Sequence, residues 1–363
     1  MRNKSRGVFS LVVAAAVAAL VGGVPLTASA TSSEPVVMTR NLYLGADLAA
    51  AIQAPDVTAL AQAAADIYLN VVATDFPQRA EQIATEVQAT SPDLIGLQEA
   101  AIWRTGTLGD PAPATNIAFD YLASLQSELA SLGLDYEVAV VQETFDGEVP
   151  ASVSTLGVPV LMDVRLTQRN AILVRAGLPY VNPQAEYFDT NTTFPDIGGI
   201  PGNNLTDLRG WVSVDVTPQT KGKTFRFVNT HLDPYFPPVR DVQAQEFVDG
   251  PLATTLKLIA VGDFNSPPSG PDSGAYAILT DRTNGKLRDA WVTANPDDPG
   301  YTFGQDPDLA NLVSKDNKRI DYVFTRTAAV KALQAELVGT TPPSSGGLWA
   351  SDHFGVVAQV RMP

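Results

Sequence analysis

Only two histidines occur in the 363 residues. One stands in Asn229-Thr230-His231-Leu232 and the other in Ser351-Asp352-His353-Phe354, with Gly262-Asp263-Phe264-Asn265 between them. Imidazole is the side chain that most readily exchanges a proton near neutral pH. Held by a carboxylate, it serves as acid, base or charge stabiliser. Hard oxygen ligands such as Glu99 suit Mg²⁺, Mn²⁺ or Ca²⁺. An acceptor such as Asp263 can orient or deprotonate water, and amides such as Asn41 and Asn265 fix a ligand or phosphate without adding charge. This mixture suits metal-assisted attack of water on a phosphoester.

Such groups work only if strand ends bring them together. Residues 36–42 read as an opening strand, 93–98 as a buried strand ending at Glu99, and 256–261 as an apolar strand running into Gly262-Asp263. Residues 136–142, 169–175, 211–216, 224–230, 319–325 and 354–360 read as further strands. A Gly- and Pro-containing loop or hairpin region separates the first two, and a turn at 219–222 joins the next two. Residues 78–89 and 117–132 carry helical spacing, with Asp75 and Pro77 at the first start. Segments 234–238 and 342–347 read as loops near the site. Side chains at i and i+2 of a strand share a face, so Asn229 and His231 should point together, as should Asp263 and Asn265. Strands with interspersed helices and no evident boundary predict one α/β domain over 31–363.

The first thirty residues are set apart. Arg2, Lys4 and Arg6 precede an apolar run from Val8 to Val21, and Ala28-Ser29-Ala30 has the small residues of a cleavage site. This pattern predicts a secretory signal peptide, a mature start at Thr31 and a secreted, extracellular protein. No later stretch suggests a transmembrane segment. That leader holds three of the 24 basic residues and none of the 39 acidic ones, leaving 21 against 39, a balance of −18. Such acidity counts against a nonspecific groove for long nucleic acid; it equally keeps an exported protein soluble. Cysteine is absent, which excludes disulfides, thiolate metal sites and a cysteine nucleophile.

Taken in order, Asn41, Gln98-Glu99, Thr230-His231-Leu232, Gly262-Asp263-Phe264-Asn265, Arg319-Ile320-Asp321-Tyr322 and Ser351-Asp352-His353 resemble the landmarks of the endonuclease/exonuclease/phosphatase (DNase I-like) superfamily. The resemblance spans roughly residues 36 to 361. It implies a four-layered α/β sandwich, two packed mixed sheets flanked by helices, and a divalent-metal-dependent phosphoesterase, using Mg²⁺ or alternatively Mn²⁺ or Ca²⁺. It further implies Glu99 as principal metal ligand with Asn41, and Asp352 completing the metal or water network. Asp263 would position water, Asn265 would bind phosphate or metal, and His231 would contact the phosphate. His353 would be base or transition-state stabiliser, oriented by Asp321. The opening Thr39-Arg40-Asn41 departs from the usual Trp-Asn pair, and the substrate stays open. A phospholipid headgroup fits a sphingomyelinase-like phospholipase C, nucleic acid fits an extracellular nuclease, and a small phosphodiester is a third choice. A monomer is expected.

Bland readings stand beside these. His231 can be a packed strand-end histidine, Asp263 and Asn265 turn residues, Glu99 a helix-start acid and Asp321 a surface acid. Asp47 reads better as a cap for Leu48–Ile52 than as a ligand. Arg169 and Asn170 are open between phosphate contact and a solvated loop, and Trp103 and Arg104 can line the cleft. A non-catalytic binding protein on the same sandwich is the alternative from another class.

Overall fold

The computed structural model describes residues 34–155, 158–218, 223–326, 330–344 and 346–362. Residues 1–30, Thr31 and the turn at 219–222 lie outside them. In chain order the strands are β1 (Val36–Asn41), β2 (Leu94–Gln98), β3 (Ile102–Thr107), β4 (Asn116–Asp120), β5 (Tyr136–Thr155), β6 (Val158–Arg175), β7 (Tyr180–Tyr187), β8 (Thr192–Phe194) and β9 (Leu205–Asp207). They continue as β10 (Gly210–Val216), β11 (Phe225–His231), β12 (Lys257–Asp263), β13 (Leu287–Asp289), β14 (Asp321–Arg326), β15 (Lys331–Val338) and β16 (Gly355–Arg361). The helices are α1 (Ala49–Ile52), α2 (Val57–Ala73), α3 (Phe76–Thr90), α4 (Tyr121–Ser131), α5 (Pro237–Asp249), α6 (Gly274–Thr280) and α7 (Ala290–Ala294).

One sheet runs β15-β16-β1-β2-β6-β3-β4 with β5 also on β6; the other runs β13-β14-β12-β11-β10-β7, and β8 pairs with β9. Parallel pairing of β1 with β2 and of β11 with β12, among antiparallel neighbours, makes both large sheets mixed. Alternation along each strand sorts the layers. Val36, Met38, Ile95 and Leu97 pack outward with Val71, Ile83 and Leu125 of α2, α3 and α4. Val37 and Leu94 pack inward with Phe227, Ile259, Val261 and Val323 of the second sheet. Leu258 and Ala260 turn to the far side with Phe247 and Leu279 of α5 and α6. The result is the expected four-layered sandwich, helix on sheet on sheet on helix. Gly96 lets the sheets close, because a Cβ there would lie 2.4 Å from Val261 Cγ2.

Several elements differ from the sequence reading. Residues 117–120, expected to open a helix, belong to the edge strand β4 that pairs with β3, and the helix begins at Tyr121 behind the Asp120 cap. The strands at 136–142 and 169–175 extend into one long ribbon, β5–β6. Pro237 and Pro238 start α5 instead of lying in a loop, since proline suits the first helical turn. Asp75 holds the position before α3 but is left-handed and gives no side-chain cap. Asp47 accepts from the Ala49 amide at 2.8 Å from one position ahead of the cap, which is Leu48 and gives no side-chain bond. No single helix among the described residues is long and apolar enough to cross a membrane; the bent pair α2 and α3 meets that test by length and composition together.

Candidate active site

The inward positions that fill the core become polar at the strand ends. On β1, Val37 is followed two and four residues on by Thr39 and Asn41; on β12, Ile259 and Val261 lead to Asp263; on β11, Phe225 and Phe227 lead to Asn229 and His231. The same alternation thus builds the core and aims a cluster into one cleft. Gly262 permits the last step of β12: its φ is +150°, and a Cβ would sit 2.1 Å from the Thr230 carbonyl.

Asn41 links the two sides of the cluster. Its Nδ2 donates to Glu99 Oε1 at 3.2 Å and to Asp263 Oδ2 at 3.1 Å, while its Oδ1 accepts from the Tyr43 amide at 2.8 Å. The Leu44 amide donates to Glu99 Oε2 at 2.7 Å. Glu99 is half-buried and left-handed, as are Tyr43 and Asn265 in backbone conformation; non-glycine residues held this way concentrate at functional sites. Asp263 Oδ2 also lies 3.4 Å from His231 Nε2 and 3.7 Å from His353 Nε2. Beyond it, His353 Nδ1 is bonded to Asp321 Oδ2 at 2.8 Å, and Asp352 Oδ1 stands 3.8 Å from His353 Nε2.

All eight predicted residues therefore meet at one end of the sandwich, though not all as periodicity implied. Asn265 follows the end of β12 in a left-handed turn, so the shared-face argument fails for it. It joins Asp263 instead by donating its backbone N–H to Asp263 Oδ1 at 2.9 Å, and its Nδ2 bonds the Leu232 carbonyl at 3.0 Å. Asp352 and His353 precede β16 rather than starting it. Asn229 is a bridge between sheets: its Nδ2 donates to the Leu97 and Ala171 carbonyls at 2.8 and 3.0 Å, and its Oδ1 accepts from Gln98.

Charge is tightly packed here. Burial, reinforced by Asp321, pushes the Asp263 carboxyl up to about 7. Burial, with Glu99 adding to it, does the same to Asp352 against the pull of His353. Burial, then Arg209 and His353, hold His231 well below 6.5. Burial would also lower His353, but Asp321 and Asp352 carry it well above 6.5. The oxygen-rich, charge-crowded donor set fits a hard divalent cation, because a cation would relieve the repulsion among carboxylates. Asp263, Asp321 and His353 offer atoms within 4.8 Å of one another; Asp321 Oδ2 and His353 Nδ1 are taken up by their mutual hydrogen bond, while Asp321 Oδ1 is buried without a partner. The Glu99–Asn41 side, where the carboxylate reaches solvent, is the better seat for the ion.

Other residues escaped the sequence reading. Asp316 lies beside this cluster with both oxygens buried and unpartnered, and burial pushes it up to about 7. Two fully buried arginines hold the loops. Arg40 binds the His353 carbonyl and Glu86. Arg79 donates to the carbonyls of Leu42 at 2.6 Å, Thr74 at 2.8 Å, Ala350 at 3.0 Å and Tyr43 at 3.1 Å. The β1 face exposes the Arg40 signal, since Arg40 alternates with Asn41; nothing local marks Arg79. Arg169 and Asn170 belong to β6 rather than a solvated loop. Arg169 is committed to Ala100 and Asp120, and Asn170 is 1% exposed with its Nδ2 unpartnered.

The model of the Endonuclease/Exonuclease/phosphatase family matches residues 45–353. No curated protein matches the sequence. Among solved structures, an endonuclease/exonuclease/phosphatase family protein from Bacteroides thetaiotaomicron is similar at 18% identity and a TM-score of 0.57, covering 91% of this chain and 98% of that one. The mannosyl-6-phosphatase of B. thetaiotaomicron VPI-5482 is similar at 18% identity and 0.56, covering 90% and 99%. Truncated TDP2 from Caenorhabditis elegans gives 17% and 0.51, covering 90% and 97%. These identities speak for a shared fold. With the family model covering most of the chain and the ordered landmarks meeting at one cleft, the protein belongs to the endonuclease/exonuclease/phosphatase family.

Proposed function

We propose that the protein is a divalent-metal-dependent phosphoesterase that cleaves a phosphodiester, or a phosphomonoester, by attack of water. The observation that carries this reading is Asp263, buried between two imidazoles and tied through Asn41 to Glu99. Glu99, assisted by Asn41 and Asp352, would hold Mg²⁺, with Mn²⁺ or Ca²⁺ as alternatives. When bound, the ion neutralises phosphate charge and stabilises the developing oxyanion. Asp263 accepts a proton from the attacking water, and Asn265 orients a phosphate oxygen. His231, kept neutral by burial, contacts the phosphate without adding charge. His353, held charged by Asp321, stabilises the transition state.

The net charge of −15 disfavours long nucleic acid and favours a phospholipid headgroup or small phosphoester; the similar mannosyl-6-phosphatase keeps phosphomonoesters among the substrates to test. A sphingomyelinase-like phospholipase C ranks above an extracellular nuclease on this ground. Purified protein should hydrolyse bis(p-nitrophenyl) phosphate, stop in chelator and resume with Mg²⁺ or Mn²⁺. Glu99→Ala and His353→Ala should each reduce kcat by at least about a hundredfold. Turnover that is indifferent to chelator, or His353→Ala as active as wild type, would refute the assignment and favour a binding protein. We also propose export as a monomer beginning at Thr31, on the charged, apolar and small-residue succession of residues 1–30; N-terminal sequencing and size-exclusion chromatography of protein from the culture medium test both.

A further inference from the structure

A second cavity lies against the cleft, and its chemistry is opposite. It has a volume of about 130 Å³ and lies between α1 and α2 on one side and the β5–β6 ribbon on the other. Leu48, Ile52, Leu60, Phe145, Val149 and Leu205 give it hydrocarbon walls. Glu148, Gln168, Asn203, Asn204, Asp207 and Tyr235 add polar groups to this lining. Trp103 lines the cavity and donates Nε1–H to the Leu44 carbonyl at 2.8 Å, while the Leu44 amide donates to Glu99 Oε2. Tyr235 lines it too, and its backbone N–H binds Asp233, two residues beyond His231. Asp207, a third wall residue, is paired to Arg209 at 2.6 Å, next to the Gly210 that faces His231 across β10 and β11. Trp103, Tyr235 and Asp207 thus connect the cavity lining to the cluster through Leu44, Asp233 and Arg209.

We infer that this cavity is a subsite for a short alkyl segment of the substrate, making the preferred substrate an amphiphilic phosphodiester rather than a nucleic acid or a sugar phosphate. The inference rests on the phosphoesterase reading and adds the substrate class. An apolar cavity of about 150 Å³ holds the six carbons of benzene, so this one holds a stretch of about four to six carbons. A sugar ring or base would find partners only at the few polar positions such as Glu148, Gln168, Asn203 and Asn204, and would leave its other hydroxyls or amides unpaired against the predominantly hydrocarbon walls. An alkyl chain loses no hydrogen bond there and gains about fourfold in affinity per buried methylene.

The test compares p-nitrophenyl methyl phosphate with p-nitrophenyl butyl phosphate, which share a leaving group. Wild type should prefer the butyl ester at least tenfold in kcat/KM, mainly through KM. Leu205→Trp and Ile52→Trp fill the cavity from two separate lining positions and should bring that ratio within threefold. The ratio is taken within each variant, so a general loss of folded enzyme cancels. Equal kcat/KM for the two esters in wild type, or a ratio unmoved in both variants, overturns the subsite. Calorimetric titration with 1-hexanol separates the two claims, since it needs no catalysis. Turnover of neither ester refutes the phosphoesterase reading. Hexanol bound by wild type and lost in both variants then upholds the apolar site, and no binding removes it.

Discussion

The charges of Asp321, bonded to His353 Nδ1 at 2.8 Å, and of Asp352 hold the His353 imidazole up against burial, and this has a measurable consequence. Opposite shifts of two imidazoles in one cleft give opposite pH effects. His353, raised, contributes stability that is complete below pH about 6.5 and fades as pH rises through its raised value; His231, lowered, contributes stability present above about 6.5 and lost as pH falls. Imidazole NMR of metal-free protein should find His353 protonated through neutrality and His231 neutral well below 6.5. With only two histidines, one substitution assigns both signals. Asp321→Asn should bring the His353 midpoint down by roughly one to three units; an unmoved midpoint would deny Asp321 its role. Asp316 makes a second case. Burial raises its carboxyl to about 7 without any partner for its oxygens. A raised carboxyl stabilises the fold below its unfolded value and loses that stability as pH rises toward 7. Asp316→Asn should therefore melt above wild type at pH 8, with the gap narrowing below pH 7 and closing only near pH 4 in paired melting curves.

At the scale of elements, α3 matters to the cleft through one side chain. Arg79 ties the loop after β1 to the loop before β16 by donating to carbonyls in both, and it stacks 4.8 Å from the Phe76 ring with no carboxylate bonded to it among the described residues. Arg79→Met would orphan four buried carbonyls, at a cost on the order of 3 kcal/mol or more. Denaturant unfolding should register it, and activity should fall further than in an equally destabilised core variant. Arg79→Lys keeps the charge but not the planar fork and should recover only part of either loss. Between the sheets, Gly96→Ala should cost about 1–3 kcal/mol, because Val261 and Asn229 crowd its added methyl at 2.4 and 2.9 Å. Elements also differed in how plainly the sequence marked them. The apolar strands ending in Gln98-Glu99 and Gly262-Asp263 were evident from alternation. Helix α2 went unseen because its alanines blur the contrast between faces. Edge strands β7 and β15 carry largely exposed or half-buried residues, so no apolar run announced them. Residues 116–120 are a strand because β3 pairs with them, a tertiary override of local preference.

For the whole molecule, an ion held only by the folded state must raise stability. At Mg²⁺ a hundredfold above its Kd, unfolding should cost about 2.7 kcal/mol more. Glu99→Ala should abolish that gain in calorimetry, and a melting temperature indifferent to Mg²⁺ would argue against the ion. The sequence alone determined the order of the polar strand ends and, for Asn229 and His231 within β11, the face they share, because a two-residue period is a local property readable in any short window. It thereby specified which groups enter the cleft. Only the tertiary structure decided how they engage: Asn41 turning its amide between two carboxylates, Asn265 joining by a turn, Asp316 and the two arginines arriving from unrelated segments. The apolar cavity beside Glu99 belongs to this second kind, since its walls come from α1, α2, the β5–β6 ribbon and the loops about β8 and β9. Contacts between residues a hundred or more positions apart (Asn41 with Asp263, Gln98 with Asn229) depend on how two sheets pack. No local pattern encodes that packing.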